Sequence, residues 1–474
     1  MKKIIYTSLF ILSAILFSAC QQSSIYEGLP EETNDEIVDG NTDEVVDPVE
    51  FTTSQKEVPT LAVIMNWNNY SENDPLIWYN KLFNKDKNSV NRWYYDSTDA
   101  NIEFVPISES SGTANDGIIM VDMGKNHPGG SNDTSFRNTE IRNAITSSVV
   151  DSHVDFASYD TNKDGTISRT ELQIIFIVAG GEQSYGDSVS KSIWAHAWAF
   201  DSSNAPEVDG VSLMKAAANP SLSGSYMRFG ATHGIDTADA HKAVIGIISH
   251  ELGHALLKLV DLYDNDGGGS GLGYYDIMSS GSWARKTTDT YDGQTPVQFS
   301  AYSKILSQID VNTTEINSTI ATAQTVTIKC SSNSLIKLNT TQSNEYFLLE
   351  CRDTAKSDSD KSFEHLDSAF TDNKLVSFIY HVDTDKPTDS SKLPNNESGT
   401  QKASNHYMLS LIERDTTNAL TSTEDVKAYL SDGYTDGYTI DSTKTKTYDG
   451  ASGYIIKVES SNYTDRTMTF KISK

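Results

Sequence analysis

The sequence is poor in cysteine, in long apolar segments and in positive charge, and each shortage excludes something. Only 3 of its 474 residues are cysteine, so a cysteine-ligated metal cluster is excluded. Beyond the first 20 residues no segment is apolar enough to span a bilayer. The formal charge of -28 at pH 7 argues against nucleic acid and anionic lipid surfaces as partners, because the protein would be repelled by both. The spacings that mark a nucleotide site are also missing.

The first residues have the pattern of an export signal. Lys2 and Lys3 precede a short apolar run that ends in small residues and Cys20, which favours a signal peptide over a membrane span. A cysteine at the cleavage point resembles a bacterial lipoprotein signal. We therefore predict a lipoprotein signal over residues 1–20, with Cys20 lipidated and membrane contact through the lipid alone. Gln21 lacks an inner-membrane retention signal, which favours the outer membrane. The alternative is a plain secretory signal with a chance cysteine.

Residues 21–56 are acidic and contain few aromatic side chains. Such a segment cannot bury enough apolar surface to offset the entropy lost on ordering. We predict an extended, disordered tether.

Histidine is also scarce, with 10 in the chain, yet two of them stand in the pattern H-E-x-x-H. His250, Glu251 and His254 lie in an apolar stretch from His241 to about Val260 that has helical periodicity. This spacing places two imidazoles one turn apart on one face, as a zinc site requires. Glu251 is the candidate general base for a water on the metal. The alternative is a chance pattern on a core helix.

A catalytic zinc needs a third protein ligand. After His254 no glutamate occurs before Glu315 and no histidine before His365, so an aspartate is the natural candidate. The extended pattern H-E-x-x-H-x-x-G-x-x-H would put this ligand at Val260, and the chain has Asp261 one residue later. We predict Asp261 as the third ligand, with Asp264 as the alternative.

A methionine follows the helix at Met278, where metzincin-type enzymes have a tight turn beneath the metal. The motifs together resemble the immune inhibitor A family of secreted bacterial zinc metallopeptidases. The likeness implies a zincin-like fold, zinc as cofactor, and protein or peptide substrates. It is strongest in the H-E-x-x-H segment, in Asp261–Asp264, in the glycine-rich residues 267–273 and in Tyr275–Trp283, and weaker segments extend it from about residue 60 to Glu350.

A calcium loop is predicted between residues 160 and 171. Gly165 stands at the position where an EF-hand loop turns, and the residue after the loop begins a strand-like run instead of a helix. We therefore expect a structural calcium site and not a sensor; the alternative is a polar turn that binds nothing. The candidate calcium ligands are Asp160, Asn162, Asp164, Thr166 through its carbonyl, Ser168 and Glu171. A second calcium at Asp264–Asp266 is about as plausible as a flexible turn.

Two folded units are expected after the leader and tether. Residues 57–310 should form an α/β catalytic domain, with the metal helix on one side of a mixed sheet. Residues 311–474 alternate short strands with polar turns, which favours a β-rich, sandwich-like accessory domain. Cys330 and Cys351 each end a strand-like run, and an oxidising compartment would permit a bridge between them without establishing one.

The predicted strands of the first unit are Thr60–Trp67, Asn101–Ile107, Gly117–Met123 and Leu172–Gly180, and its predicted helices are Leu76–Tyr95, Phe136–Val150 and His241–Val260.

The sequence thus predicts a monomeric, lipid-anchored zinc endopeptidase. The alternative is a non-enzymatic, calcium-stabilised surface-binding lipoprotein with a degenerate zinc site. The intact Glu251 argues against this alternative, because a binding protein has no physical need of it. His196 could approach the same cleft, but a lone histidine is more often structural.

Overall fold

The computed structural model describes residues 57–85, 88–263, 271–307, 309–354, 375–385, 408–412, 429–430, 438–439 and 453–474. The predicted signal peptide, lipidation site and acidic tether all lie outside this part of the chain. In the described part, none of the helices combines the length and apolar character needed to cross a bilayer.

The first part of the chain is built on an eight-stranded mixed sheet. Its central strand, the first in the chain, pairs in parallel with three neighbours. One of these neighbours pairs in parallel with a further long strand, and that strand also pairs antiparallel with two short strands. The long central strands are buried on both faces, which explains their continuous apolar sequence. The strands are β1 (Glu57–Asn66), β2 (Glu103–Pro106), β3 (Ile118–Asp122), β4 (Gln173–Glu182), β5 (Ser192–Ile193), β6 (His196–Trp198), β9 (Tyr226–His233) and β10 (His241–Lys242); β7 (Glu207–Val208) and β8 (Val211–Ser212) form a separate hairpin.

The predicted strands β1 to β4 are confirmed, with ends that differ by a few residues. Alternation along them sends side chains to two different cores. Val58, Ala62 and Ile64 of β1 belong to the cluster that contains the metal helix. Leu61, Val63 and Met65 belong to a second cluster on the opposite face. The sheet therefore lies between two apolar layers.

The helices differ more from the prediction. The segment predicted as one helix from Leu76 to Tyr95 is two helices, because a polar connection intervenes and the Ser89 hydroxyl accepts from Arg92 N as a new N-cap. The segment Phe136–Val150 is likewise interrupted and begins as a π-helix over Phe136–Ile141. The helices are α1 (Pro75–Leu82), α2 (Val90–Ser97), α3 (Asp133–Ser135), α4 (Arg142–Ile145), α5 (Ser148–Asp151), α6 (Ile245–Leu257) and α7 (Ala301–Leu306).

The last part of the chain is β-rich, as predicted. A six-stranded sheet and a four-stranded sheet enclose one buried apolar cluster to which both contribute, including Ile336, Leu349, Val458 and Phe470. The first sheet contains β11 (Asn312–Ile316), β13 (Ser334–Asn339), β14 (Glu345–Asp353), β15 (Leu375–Asp383), β16 (Leu409–Leu411) and β17 (Tyr429–Leu430); the second contains β12 (Gln324–Lys329), β18 (Tyr438–Thr439), β19 (Ile455–Asn462) and β20 (Thr467–Ser473).

Cys330 and Cys351 form a disulfide within this cluster. The bridge closes a loop with a sequence separation of 21 residues. Loop-closure entropy in the unfolded chain makes such a bridge worth about 3 kcal/mol. The pairing that the sequence left open is therefore made.

The other face of the six-stranded sheet packs against the part of the chain that contains the metal helix. Leu348, Phe378 and Tyr380 share a cluster with residues of α2 and α6. Polar contacts reinforce this packing, since Arg352 Nη2 donates to Phe299 O at 2.6 Å and Lys304 Nζ donates to Ser332 O at 3.0 Å. The two parts therefore share an apolar core.

Candidate metal centre

Helix α6 carries the H-E-x-x-H residues through the middle of the protein. All 13 of its residues are buried, as expected for a helix that is apolar around most of its circumference. It begins at Ile245 and not at His241, because His241 and Lys242 pair with β9 as an edge strand. The predicted helix was therefore too long at its start.

Three side chains converge beside this helix. His250 Nε2, His254 Nε2 and Asp261 Oδ1 form a triangle whose three sides are each 3.1 Å. Four ligands at the zinc-ligand distance of about 2.0–2.1 Å, placed at the corners of a tetrahedron, would be roughly 3.3 Å apart. The triangle thus matches one face of a tetrahedral metal site. In the described part of the chain it is the one group of three or more His, Cys, Asp or Glu ligand atoms this close together.

Both imidazoles are oriented by main-chain carbonyls. His250 Nδ1 donates to Ile277 O at 2.8 Å, and His254 Nδ1 donates to Leu259 O at 2.6 Å. With the proton on Nδ1, each ring directs the Nε2 lone pair towards the triangle, which is the tautomer that a metal ligand needs.

The charges of the triangle favour a bound cation. Burial would raise the pKa of Asp261, but His254 and His250 outweigh it and hold that pKa well below its usual value. Burial would lower the pKa of His254, and the Asp261 carboxylate reverses the shift and raises it. Asp261 Oδ2 is buried without a hydrogen-bond partner among the described residues. A carboxylate that stays ionised and has an oxygen to spare suits a divalent metal.

The position of Asp261 depends on how α6 ends. Lys258 adopts the left-handed conformation, with φ 57° and ψ 24°, and its N–H returns to the carbonyls of the last helical turn. This conformation usually costs a non-glycine residue of order 1 kcal/mol. The turn absorbs the extra residue after His254, so Asp261 and not Val260 reaches the triangle. Asp264, the alternative third ligand, lies outside the described residues with Asn265 and Asp266.

Met278 lies directly beneath α6. A Cβ placed on Gly253 would come within 2.6 Å of Met278 Sδ, so the glycine inside the motif gives the methionine its space. The turn is fixed by Asp276, whose Oδ1 accepts from Met278 N at 2.6 Å, and by Met278 O, which accepts from Leu262 N at 2.7 Å. The same turn supplies Ile277 O to His250. Met278 therefore packs against the motif helix, and its turn holds the carbonyl that His250 contacts.

Glu251 is 1 % exposed and comes directly after His250 on α6. Its charge contributes, after burial, to raising the pKa of the Tyr94 hydroxyl well above its ordinary value. Tyr94 Oη in turn donates to Ser249 O at 2.8 Å. Glu251 therefore lies in a low-dielectric environment beside a tyrosine that stays protonated at neutral pH.

The predicted calcium loop lies between a 3₁₀ turn at Phe156–Tyr159 and strand β4. The carboxylates at the two ends of the loop accept hydrogen bonds from main-chain N–H groups within it. Asp160 Oδ2 accepts from Gly165 N at 2.9 Å, and Glu171 Oε2 accepts from Ser168 N at 2.9 Å. Gly165 has φ +79°, as the turn requires. Asn162 and Asp164 are exposed, whereas Ser168 is buried. The strand predicted after the loop is confirmed.

Arg169, inside this loop, connects it to the metal helix. Its side chain is fully buried, and Nη1 donates to Ala255 O, one residue after His254, at 3.0 Å. Ser225 Oγ donates to the same carbonyl at 2.7 Å. The sequence carries no signal for this contact, because it joins residues far apart in the chain. His196 takes no part in the site and lies 3.3 Å from Tyr226 Oη through its Nε2.

Residues 74–313 match the model of the immune inhibitor A peptidase M6 catalytic domain. The match covers half of the chain. The chain belongs to the immune inhibitor A peptidase family. The resemblance drawn from the motifs is therefore confirmed, and the triangle, Glu251 and Met278 all fall within the matched segment of this M6 domain.

Two curated relatives agree with the family. The pre-pro-metalloprotease PrtV of Vibrio cholerae serotype O1 is 29% identical over 239 residues, which cover 48% of this chain and 24% of the relative. Immune inhibitor A of Bacillus thuringiensis subsp. alesti is 31% identical over 156 residues, which cover 31% of this chain and 20% of the relative. The chain thus spans about a quarter or less of the length of these relatives.

The third corner of the triangle gives the first prediction. Asp261→Ala should lose the bound metal, because it removes a ligand atom and leaves two imidazoles without the carboxylate that balances the cation. Asp264→Ala should retain the metal. Metal content per chain, measured by plasma mass spectrometry after dialysis, separates the two variants. The opposite result would make Asp264 the ligand. If both variants retained the metal, neither aspartate would be the third ligand.

Proposed function

We propose that this protein is a zinc-dependent endopeptidase that hydrolyses protein or peptide substrates. The observation that carries the proposal is the triangle of His250 Nε2, His254 Nε2 and Asp261 Oδ1, with 3.1 Å sides, beside Glu251 on the same helix. Membership in a peptidase family supports it. Two imidazoles and one carboxylate, together with a fourth open position, form the donor set of a catalytic zinc site.

Zinc bound there would polarise the scissile carbonyl and acidify a water. The protein's own groups would do the rest. Glu251 would accept the proton of the attacking water on a carboxylate oxygen and return it to the leaving amine nitrogen. The carbonyls of Ile277 and Leu259 would keep both imidazoles oriented throughout the cycle.

The zincin-like architecture expected from the sequence is part of the same proposal. It is supported by α6 crossing one face of a mixed sheet and by Met278 packed beneath Gly253. A non-enzymatic binding protein is less well supported. Such a protein would have no use for an ionised, buried aspartate whose carboxylate oxygen lies 3.1 Å from two imidazole nitrogens.

The role of Glu251 is tested by Glu251→Gln and Glu251→Ala. Each should lower kcat for peptide hydrolysis by a factor of about 10² or more, because neither side chain can accept the proton. Metal content and melting temperature should stay close to those of the unmodified protein. A parallel loss of metal would instead make Glu251 a ligand, and unchanged kcat would exclude it as the base.

We also propose that the loop from Asp160 to Glu171 binds a structural calcium ion. Its oxygen-rich side chains, the left-handed Gly165 and the closure of both acidic ends on main-chain donors support this site. Through Arg169, an ordered loop would also hold the end of the metal helix.

Calcium should raise the melting temperature of the dialysed protein by a few degrees at about 10 mM, as expected for a site in the range from about 0.1 to 1 mM. Glu171→Gln should abolish this gain, because it removes a carboxylate ligand. Asp151→Asn, which changes an exposed aspartate outside the loop, should retain it. The comparison is made by scanning calorimetry with saturating zinc throughout. If calcium leaves the unmodified protein unchanged, the loop is only a turn.

Export and anchoring belong to the proposal as well. The pattern Lys2-Lys3, apolar run and Cys20 supports a lipoprotein of the cell envelope, held at the outer membrane by its lipid while the enzyme faces outward on the acidic tether.

Cys20→Ser should abolish lipidation of the protein, because no other acyl acceptor stands at the cleavage point. Incorporation of an alkyne-tagged palmitate during growth in a didermic bacterial host measures this directly. A processed but unlabelled wild-type protein would show that the signal is an ordinary secretory one.

A further inference from the structure

A pocket of about 280 Å³ lies beside the first turn of α6. Its wall includes Lys81 from α1, Asn88, His241 and Lys242 of β10, and Tyr291; Ile245 of α6 forms part of its base. We call it the cationic pocket. Its volume is at the small end for ligand sites and suits one side chain better than a large cofactor.

The cationic pocket carries positive charge in a protein whose formal charge is -28. The described residues that line it include two lysines and no carboxylate. Lys242 Nζ is paired with the buried Glu72 carboxylate. Lys81 has neither an ion pair nor a hydrogen bond to any residue that the structure describes, so its charge is the uncompensated one.

The pKa of the Lys81 ammonium group reflects the lack of a negative charge near it. Burial, followed by repulsion from Lys242, lowers the pKa of Lys81 to about 8. Within the described part of the chain, no acidic group shifts this pKa in the opposite direction. An ammonium that has been partly removed from water without a partner gains much from an anion that enters the pocket.

His241 adds a second polar atom to the wall. Its ring stacks on Tyr291 with centroids 3.5 Å apart, and Nδ1 donates to Asp239 O at 2.8 Å. Its Nε2 is buried and has no hydrogen-bond partner among the residues that the structure describes. This ring nitrogen belongs to a side chain that lines the same pocket as Lys81.

The cationic pocket and the metal centre lie along the same helix. Ile245, which lines the pocket, precedes His250 by five residues on α6, an axial rise of roughly 7.5 Å. That rise equals two or three residues of an extended peptide, which advances about 3.3 Å per residue. We propose that this pocket binds a carboxylate of the peptide substrate and makes the enzyme selective for acidic peptides; the proposal rests on the proposed peptidase function. The carboxylate is that of a glutamate or aspartate side chain or that of the peptide's C-terminus.

The test uses matched peptides with glutamate or glutamine at each of three positions on either side of the cleaved bond, each with a free or amidated C-terminus. The unmodified protein should cleave the preferred glutamate peptide with kcat/KM at least about tenfold above its glutamine twin, the usual effect of one charge-assisted hydrogen bond. Lys81→Met should abolish this ratio while changing the glutamine peptide less than about threefold. Lys85→Met is the matched control, since Lys85 is exposed and paired with Glu103, and it should keep the ratio.

Binding of the same peptides to the Glu251→Gln protein, followed by fluorescence anisotropy, gives a readout that needs no turnover. The glutamate peptide should bind about tenfold more tightly than the glutamine peptide, and Lys81→Met in the same background should remove the difference. An effect of C-terminal amidation alone would identify the terminal carboxylate as the ligand. Two results would overturn the proposed role of the pocket. One is equal cleavage and binding of the glutamate and glutamine peptides at every position; the other is a preference for the glutamate peptide that persists in Lys81→Met. Selective binding without cleavage by the unmodified protein would overturn the peptidase function and leave the pocket standing.

Discussion

Two hydrogen bonds from imidazole rings to main-chain carbonyls hold the candidate site in shape. Side-chain partners could rotate away, but Leu259 O and Ile277 O are fixed by the course of the backbone itself. The turn that contains Leu259 therefore fixes the orientation of the His254 ring, and the turn that contains Ile277 fixes that of the His250 ring. The left-handed Lys258 sets the first turn, and Asp276, which also accepts from Ser300 N and Ser303 Oγ, sets the second. The placement of the three candidate ligands therefore depends on these two turns.

The site is also an electrostatic arrangement that suits a cation. Two Nε2 lone pairs and a carboxylate oxygen face one another at 3.1 Å. The Asp261 carboxylate raises the pKa of His254 against the effect of burial. Because a metal ligand must be deprotonated, the metal affinity of this cluster should depend on pH.

The sequence revealed those parts of the structure that depend on neighbours in the chain. The placement of His250 and His254 on one face follows from helical spacing alone, and the buried strands follow from their apolar runs. The choice between Asp261 and Asp264 remained open because it depended on one backbone torsion at Lys258, and a lysine gives no hint of a left-handed turn. His241 was wrongly placed in the helix because its pairing with β9 is a tertiary contact.

Other features had a local signal that was outweighed or none at all. The break between α1 and α2 coincides with a polar run and a serine cap, which the apolar residues on either side obscured. Arg169 lies in a segment predicted for calcium, and no pattern indicated that its guanidinium would reach Ala255 O. Long-range polar contacts of this kind satisfy particular carbonyls in the folded protein, and sequence periodicity does not encode them.

The match to the peptidase family ends at residue 313, but the apolar cluster around the metal helix does not. Tyr275, three residues before Met278, packs edge-on against Phe378 of β15 with ring centroids 5.2 Å apart. The boundary drawn by homology is therefore not a boundary of cooperative folding. A fragment cut where the family match ends would expose an apolar face directly behind the methionine turn.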